Sequence, residues 1–198
     1  PAATTDAMLP PGPWLCRPHE DREHRAMTVP AIPSTLDVAI WLFDQGTRDE
    51  IYMPAQKLQR LLWLQQGTFA AMNHGRMLMP ASFIADETGP IEPTIFHLFE
   101  DSRPPFPARK IDAVAENHLM RIWRRYAHHS PDYLTDRIVK MLCYRDAWQR
   151  GPGSVIPFEE IARDFTKLPE TDETVRAGDG RALRKWVPTA TPAMRRIR

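Results

Sequence analysis

The chain has 198 residues, enough for one main domain with a core of its own. Its hydrophobic fraction of 42% and charged fraction of 26% are ordinary for a soluble globular protein, and a formal net charge of +1 excludes a global electrostatic pull toward nucleic acid or membrane. The longest apolar-rich run, Leu36 to Phe43, is too short to span a bilayer.

Proline is the compositional oddity, with 20 in the chain and seven of them within the first 33 residues. Residues 1–33 therefore read as a Pro-rich extended arm, in which His19 to His24 (HEDREH) forms at most a short charged turn. Cys16 and Cys143 lie far apart and suggest no disulfide framework. The N-terminus lacks a charged-then-apolar signal layout, so a reducing cytoplasm is the expected location.

Ser34 or Thr35 caps a predicted helix from Leu36 to Asp44, which Gly46 is expected to end. Behind Pro54, the residues Leu58, Leu61, Leu62, Gln65, Phe69 and Met72 recur at three- and four-residue steps. They predict an amphipathic helix of about five turns, closed by Asn73, His74 and Gly75. Gly67 in its middle predicts close approach of a neighbouring backbone. Met77 to Ala85 reads as a small strand, one arm of a hairpin or an extended loop. Pro93 opens a short helix to Phe99, and Pro104 to Pro107 break the chain again.

Two longer helices are predicted next. The first turns Ile111, Val114, Ala115, Leu119, Ile122, Trp123 and Tyr126 inward and Arg121, Arg124 and Arg125 outward. The second starts at Ser130 and carries the core stripe Leu134, Ile138, Met141 and Leu142 toward Tyr144 or Arg145. Pro157 opens a last helix with Phe158, Ile161 and Phe165. The expected fold is mainly α: a compact domain over 34–167 of about five to six helices with a small β insertion. Residues 168–198 are expected to be a basic flexible tail, since 176–198 hold seven Lys and Arg against Asp179 alone.

Residues 85–93, ADETGPIEP, crowd Asp86, Glu87 and Glu92 around Gly89 and Pro90. Acid–base catalysis needs two carboxyls held in one pocket at different pKa values. No metal motif or placed histidine accompanies these three, and turn formation and helix capping are the commoner uses of such residues. His19 and His24 are five apart, unlike the spacing of a zinc-binding helix, and Cys16 with His19 cannot close a tetrahedral site alone. Nucleotide-binding glycine loops and the G-x-S-x-G nucleophile motif are missing, and Cys143 reads as an inert core thiol. No catalytic residue, metal or cofactor is expected. Trp41, Trp63 and Trp123 read as core, whereas Trp148, before a Gly-Pro loop, is open to a binding role.

The stretch from Lys57 to Phe99 resembles the Panacea domain of SocA-like proteins. Lys57, Leu58, Leu61, Leu62, Trp63, Gln66 and Gly67 match its first block, Ala85, Gly89, Pro90 and Ile91 its second, and Ile95 and Phe96 its third. Weaker matches at Tyr126, Ser130, Leu134 and Trp148 extend the likeness over about 36–167. Two departures stand out: Asp86 occupies the place of a family tryptophan, and Cys143-Tyr144 that of Thr-His. The resemblance implies an antitoxin-like, non-enzymatic protein that binds a cognate toxin encoded nearby, in some members as an adaptor to a cytoplasmic protease. Phage and mobile-element proteins also carry such domains. On this reading Asp86, Glu87, Glu92, Tyr144 and Trp148 are the expected partner-binding residues. The alternative is a nucleic-acid or ribonucleoprotein contact through Arg184, Lys185, Arg195, Arg196 and Arg198, with Arg121, Arg124 and Arg125 assisting.

Overall fold

A computed structural model of the chain describes residues 29–100, 102–167, 174–176 and 182–184. Most of the expected arm over 1–33 and most of the expected C-terminal tail lie outside the described residues. The first helix, α1 (Thr35–Arg48), starts where the Ser34 hydroxyl accepts the Leu36 N–H at 3.2 Å. Gly46 does not end it: the helix runs a further half-turn to Arg48. There the Asp49 carboxylate accepts the Trp123 indole N–H at 2.7 Å, and hydrogen bonds from Gln45 and Trp123 hold its pKa below the usual value.

The next helix, α2 (Ala55–Met72), departs from the expected amphipathic pattern because it is buried on nearly every side. The apolar residues Leu58, Leu61, Leu62, Trp63 and Phe69 are joined in the interior by Gln59, Arg60, Gln65 and Gln66. A buried polar side chain costs free energy unless it is bonded, and here each one binds backbone outside its own helix, although Gln59 Nε2 and Gln65 Oε1 have no protein partner among the described residues. Gln65 Nε2 donates to Leu119 O at 3.0 Å, and Gln59 Oε1 accepts the Glu92 N–H at 2.7 Å. Gln66 pairs with Met79 in both directions, at 3.1 Å each way. These amides fix where the surrounding elements dock on the central helix.

A three-stranded antiparallel sheet, in the order β2-β1-β3, packs against this axis. Its strands are β1 (Phe83–Asp86), β2 (Gly89–Ile91) and β3 (Val155–Ile156), with Asp86 opposite Gly89 and Ile84 facing Ile91 and Val155. The expected extended segment Met77 to Ala85 is a strand only from Phe83; its hairpin partner β2 is the short Gly-Pro-Ile run, and β3, two residues long, gives no sequence signal. Helix α3 (Pro93–Leu98) follows at once, with the Glu92 carboxylate accepting the Ile95 N–H at 2.7 Å.

Helix α4 (Ala113–Tyr126) buries Ala115, His118, Leu119, Ile122 and Trp123. Val114, expected inside, is 73% exposed, and His118 takes an interior place instead. The stripe after Ser130 is two helices, α5 (Pro131–Ile138) and α6 (Leu142–Gln149), with Met141 extended between them. That break turns Leu142 outward, to 54% exposure, and brings Cys143, Tyr144 and Ala147 into the core. The cap that permits it comes from elsewhere: Asp164 Oδ2, on α7 (Phe158–Lys167), accepts the Cys143 N–H at 2.6 Å. Burial first, then Asp164, pushes the Cys143 thiol pKa up, so this thiol is inert at neutral pH.

Helix α7 lies along α2, where the Phe165 ring covers Gly67. A Cβ at Gly67 would fall 2.2 Å from that ring, so the close approach is by a side chain and not by backbone. Beyond it, β4 (Thr174–Arg176) and β5 (Ala182–Arg184) pair antiparallel, with Val175 opposite Leu183. No helix among the described residues is long and apolar enough to cross a membrane.

Candidate functional site

The turn joining β1 to β2 is built from the residues that looked most like paired carboxylates. Asp86 Oδ2 accepts the Thr88 N–H at 3.0 Å and the Thr88 hydroxyl at 2.8 Å, closing a local Asx turn. Gly89 follows at φ +113, a backbone conformation that L side chains rarely adopt. Pro90 sits in an edge strand, where its missing N–H costs no ladder bond. Glu87 and Thr88 form the exposed tip.

Beneath the tip lies Arg60, fully buried. Its guanidinium donates from Nη1 to Pro90 O at 2.7 Å, from Nη2 to Thr88 O, and from Nε to the Thr135 hydroxyl at 2.8 Å. Burial lowers its pKa to about 10, which leaves it charged at neutral pH. A Cβ at Gly89 would meet the guanidinium carbon at 2.8 Å, so glycine serves both the turn and this close contact. Arg60 therefore ties α2, α5 and the turn together through carbonyl oxygens and a hydroxyl.

Helix α6 supplies the other half of the surface. The Tyr144 hydroxyl donates to Asp86 O at 2.6 Å, and burial raises its pKa above the usual tyrosine value. The Trp148 ring lies parallel to that of Tyr144, at an interplanar angle of 8° with centroids 6.4 Å apart. Trp148 remains 36% exposed, an indole held in place from behind and open in front.

Of the expected partner-binding residues, Asp86, Tyr144 and Trp148 meet along one line of contacts, with Glu87 at the adjoining tip. Glu92 does not join them as a surface residue, because it is buried as the cap of α3. Tyr144 is buried too and acts as a support. The three carboxylates do not share a pocket: Asp86 closes the turn, Glu92 caps a helix and Glu87 is exposed. Sequence reading missed Arg60; its signal was a charged residue inside the dense apolar run KLQRLLWL, where a solvated helix face has no room. Arg184 ends β5, while Lys185, Arg195, Arg196 and Arg198 lie outside the described residues.

No protein-family model, curated protein or solved structure matches this chain. Asp86 and Tyr144, 58 residues apart in sequence, are joined by the 2.6 Å hydrogen bond between hydroxyl and carbonyl.

Proposed function

We propose that this chain is a non-enzymatic protein-binding module of antitoxin or adaptor type, working in the cytoplasm. Its partner, a toxin encoded nearby, docks on the β1–β2 tip and α6; an adaptor role would also engage a cytoplasmic protease. The observation that carries this reading is the hydrogen bond from the Tyr144 hydroxyl to the Asp86 main-chain carbonyl, which joins the two departures from the Panacea pattern beside the partly exposed indole of Trp148. Two departures from the resembled pattern, one at the turn and one as the buried support beside an exposed indole, suit a binding site retuned for a different partner.

Preorganisation supports the same reading. Arg60, Gly89 and the Asx turn hold the tip without help from a partner, so little ordering cost falls on binding. A partly exposed tryptophan on a rigid backing is the kind of anchor that dominates protein interfaces. Co-expression of the full chain with tagged products of the adjacent genes tests the proposal. Retention of one neighbour at fixed stoichiometry, lost in Trp148→Ala, is the expected result; a neighbour retained equally by that variant, or none retained, contradicts it.

A further inference from the structure

Helix α4 presents a second surface that shares no residue with the one above. Asn117, Met120, Arg121, Arg124 and Arg125 line an open groove of about 520 Å³, and no acidic side chain is among its described lining residues. The neighbouring acid on the same helix, Glu116, is engaged elsewhere, accepting the Trp41 indole N–H at 3.4 Å. Residues 34–167 carry 16 Lys and Arg against 17 Asp and Glu, so a groove lined by arginines with no acid among its described lining residues does not simply follow from composition.

The contacts of Arg121 leave its charge standing. Arg121 Nη2 lies 3.0 Å from His118 Nδ1 and 2.9 Å from Met72 Sδ, both neutral acceptors. His118 registers that charge: burial first, and the charge of Arg121 further, lower its pKa to about 4. Arg124 is exposed and makes no ion pair with the described residues. Arg125 lies over the Tyr126 ring at 5.3 Å.

We propose that the α4 groove is a nucleic-acid site that holds the phosphodiester backbone, with Arg121 and Arg124 as its principal phosphate contacts. Planar guanidinium forks suit phosphate oxygens, which accept their N–H groups in pairs. The adjacent aromatic residues do not add base readout. His129 is stacked on Tyr133 with centroids 4.3 Å apart, and Arg137 covers Tyr133 at 5.7 Å, so these faces are filled from within. Recognition is therefore independent of base sequence and strongly salt-dependent. A long polyanion also suits a chain whose residues 176–198 add seven Lys and Arg against one Asp. A short acidic protein segment would use only one of these two basic tracts.

The test is fluorescence anisotropy of the full chain with a fluorescein-labelled single-stranded RNA, across a salt series. Each phosphate contact contributes about 0.7 to the slope of log K against log salt for a single strand. Arg124→Ala is expected to reduce the slope by about 0.7, and Arg121→Ala/Arg124→Ala by about 1.4, while Trp148→Ala leaves it unchanged. Arg121 touches His118 and Met72, so if the double variant unfolds, Arg124→Glu alone decides, with an expected affinity loss of about tenfold. No binding by the wild-type chain at low salt overturns the proposal, as does an unchanged slope in the Arg124 variants, which would place binding on the C-terminal residues. Displacement of the RNA by polyglutamate as readily as by unlabelled RNA also overturns it, in favour of an acidic protein ligand.

Discussion

Arg60 carries a positive charge into the core and spends it on two carbonyl oxygens and a hydroxyl. Arg60→Leu removes the guanidinium and leaves Thr88 O and Pro90 O without their donor. The expected cost is about 2–4 kcal/mol in denaturant unfolding, with faster amide exchange at the β1–β2 turn. Arg60→Lys is expected to recover little, because a point ammonium cannot reach three acceptors arranged for a planar fork. Near wild-type stability in both variants would contradict the assigned role. His118 gives a second prediction. Its folded pKa of about 4 lies below the 6.5 of an unperturbed histidine, so the folded chain holds it neutral while the unfolded chain is protonated first. Its contribution is complete above pH 6.5 and is lost as pH falls from 6.5 toward 4, by roughly 3 kcal/mol at most. Urea titrations should show that loss, and His118→Gln should flatten it.

At the scale of elements, Gly67 decides how closely α7 approaches α2. Alanine has the better helix propensity, by about 1 kcal/mol, but its Cβ would sit 2.2 Å from the Phe165 ring. Overpacking should win, so Gly67→Ala is expected to lower stability by about 1–3 kcal/mol. Phe165→Leu in the same chain should relieve part of that; a thermal midpoint raised by Gly67→Ala alone would contradict this packing. The helices most legible in the sequence begin at local caps: Ser34, Glu92 and Ser130 each sit within three residues of the N–H they accept. The α5–α6 break was not legible, because its cap, Asp164, comes from 21 residues away. Periodicity also misjudged α2. Apolar spacing picks out one stripe, but Gln59, Arg60, Gln65 and Gln66 are buried through bonds to distant backbone that no local pattern displays.

For the whole molecule, the mainly helical architecture was readable from composition and spacing, since a central apolar run needs helices packed around it, whereas the burial of Ile32, within the expected arm, was not. The turn's structural role was readable as well, from Gly89, Pro90 and the capping chemistry of Glu92. What escaped was the meeting of distant residues: that Tyr144 reaches Asp86, 58 residues away. The candidate surface joins the β1–β2 turn to α6 through that long-range contact, while Trp148 sits beside Tyr144 one helical turn on. Hydrogen–deuterium exchange of the full chain, free and bound to its retained neighbour, tests its role most directly. The account predicts protection concentrated in residues 86–91 and 142–150, lost in Trp148→Ala. Protection confined to other elements, with these two segments exchanging as in the free chain, would contradict it.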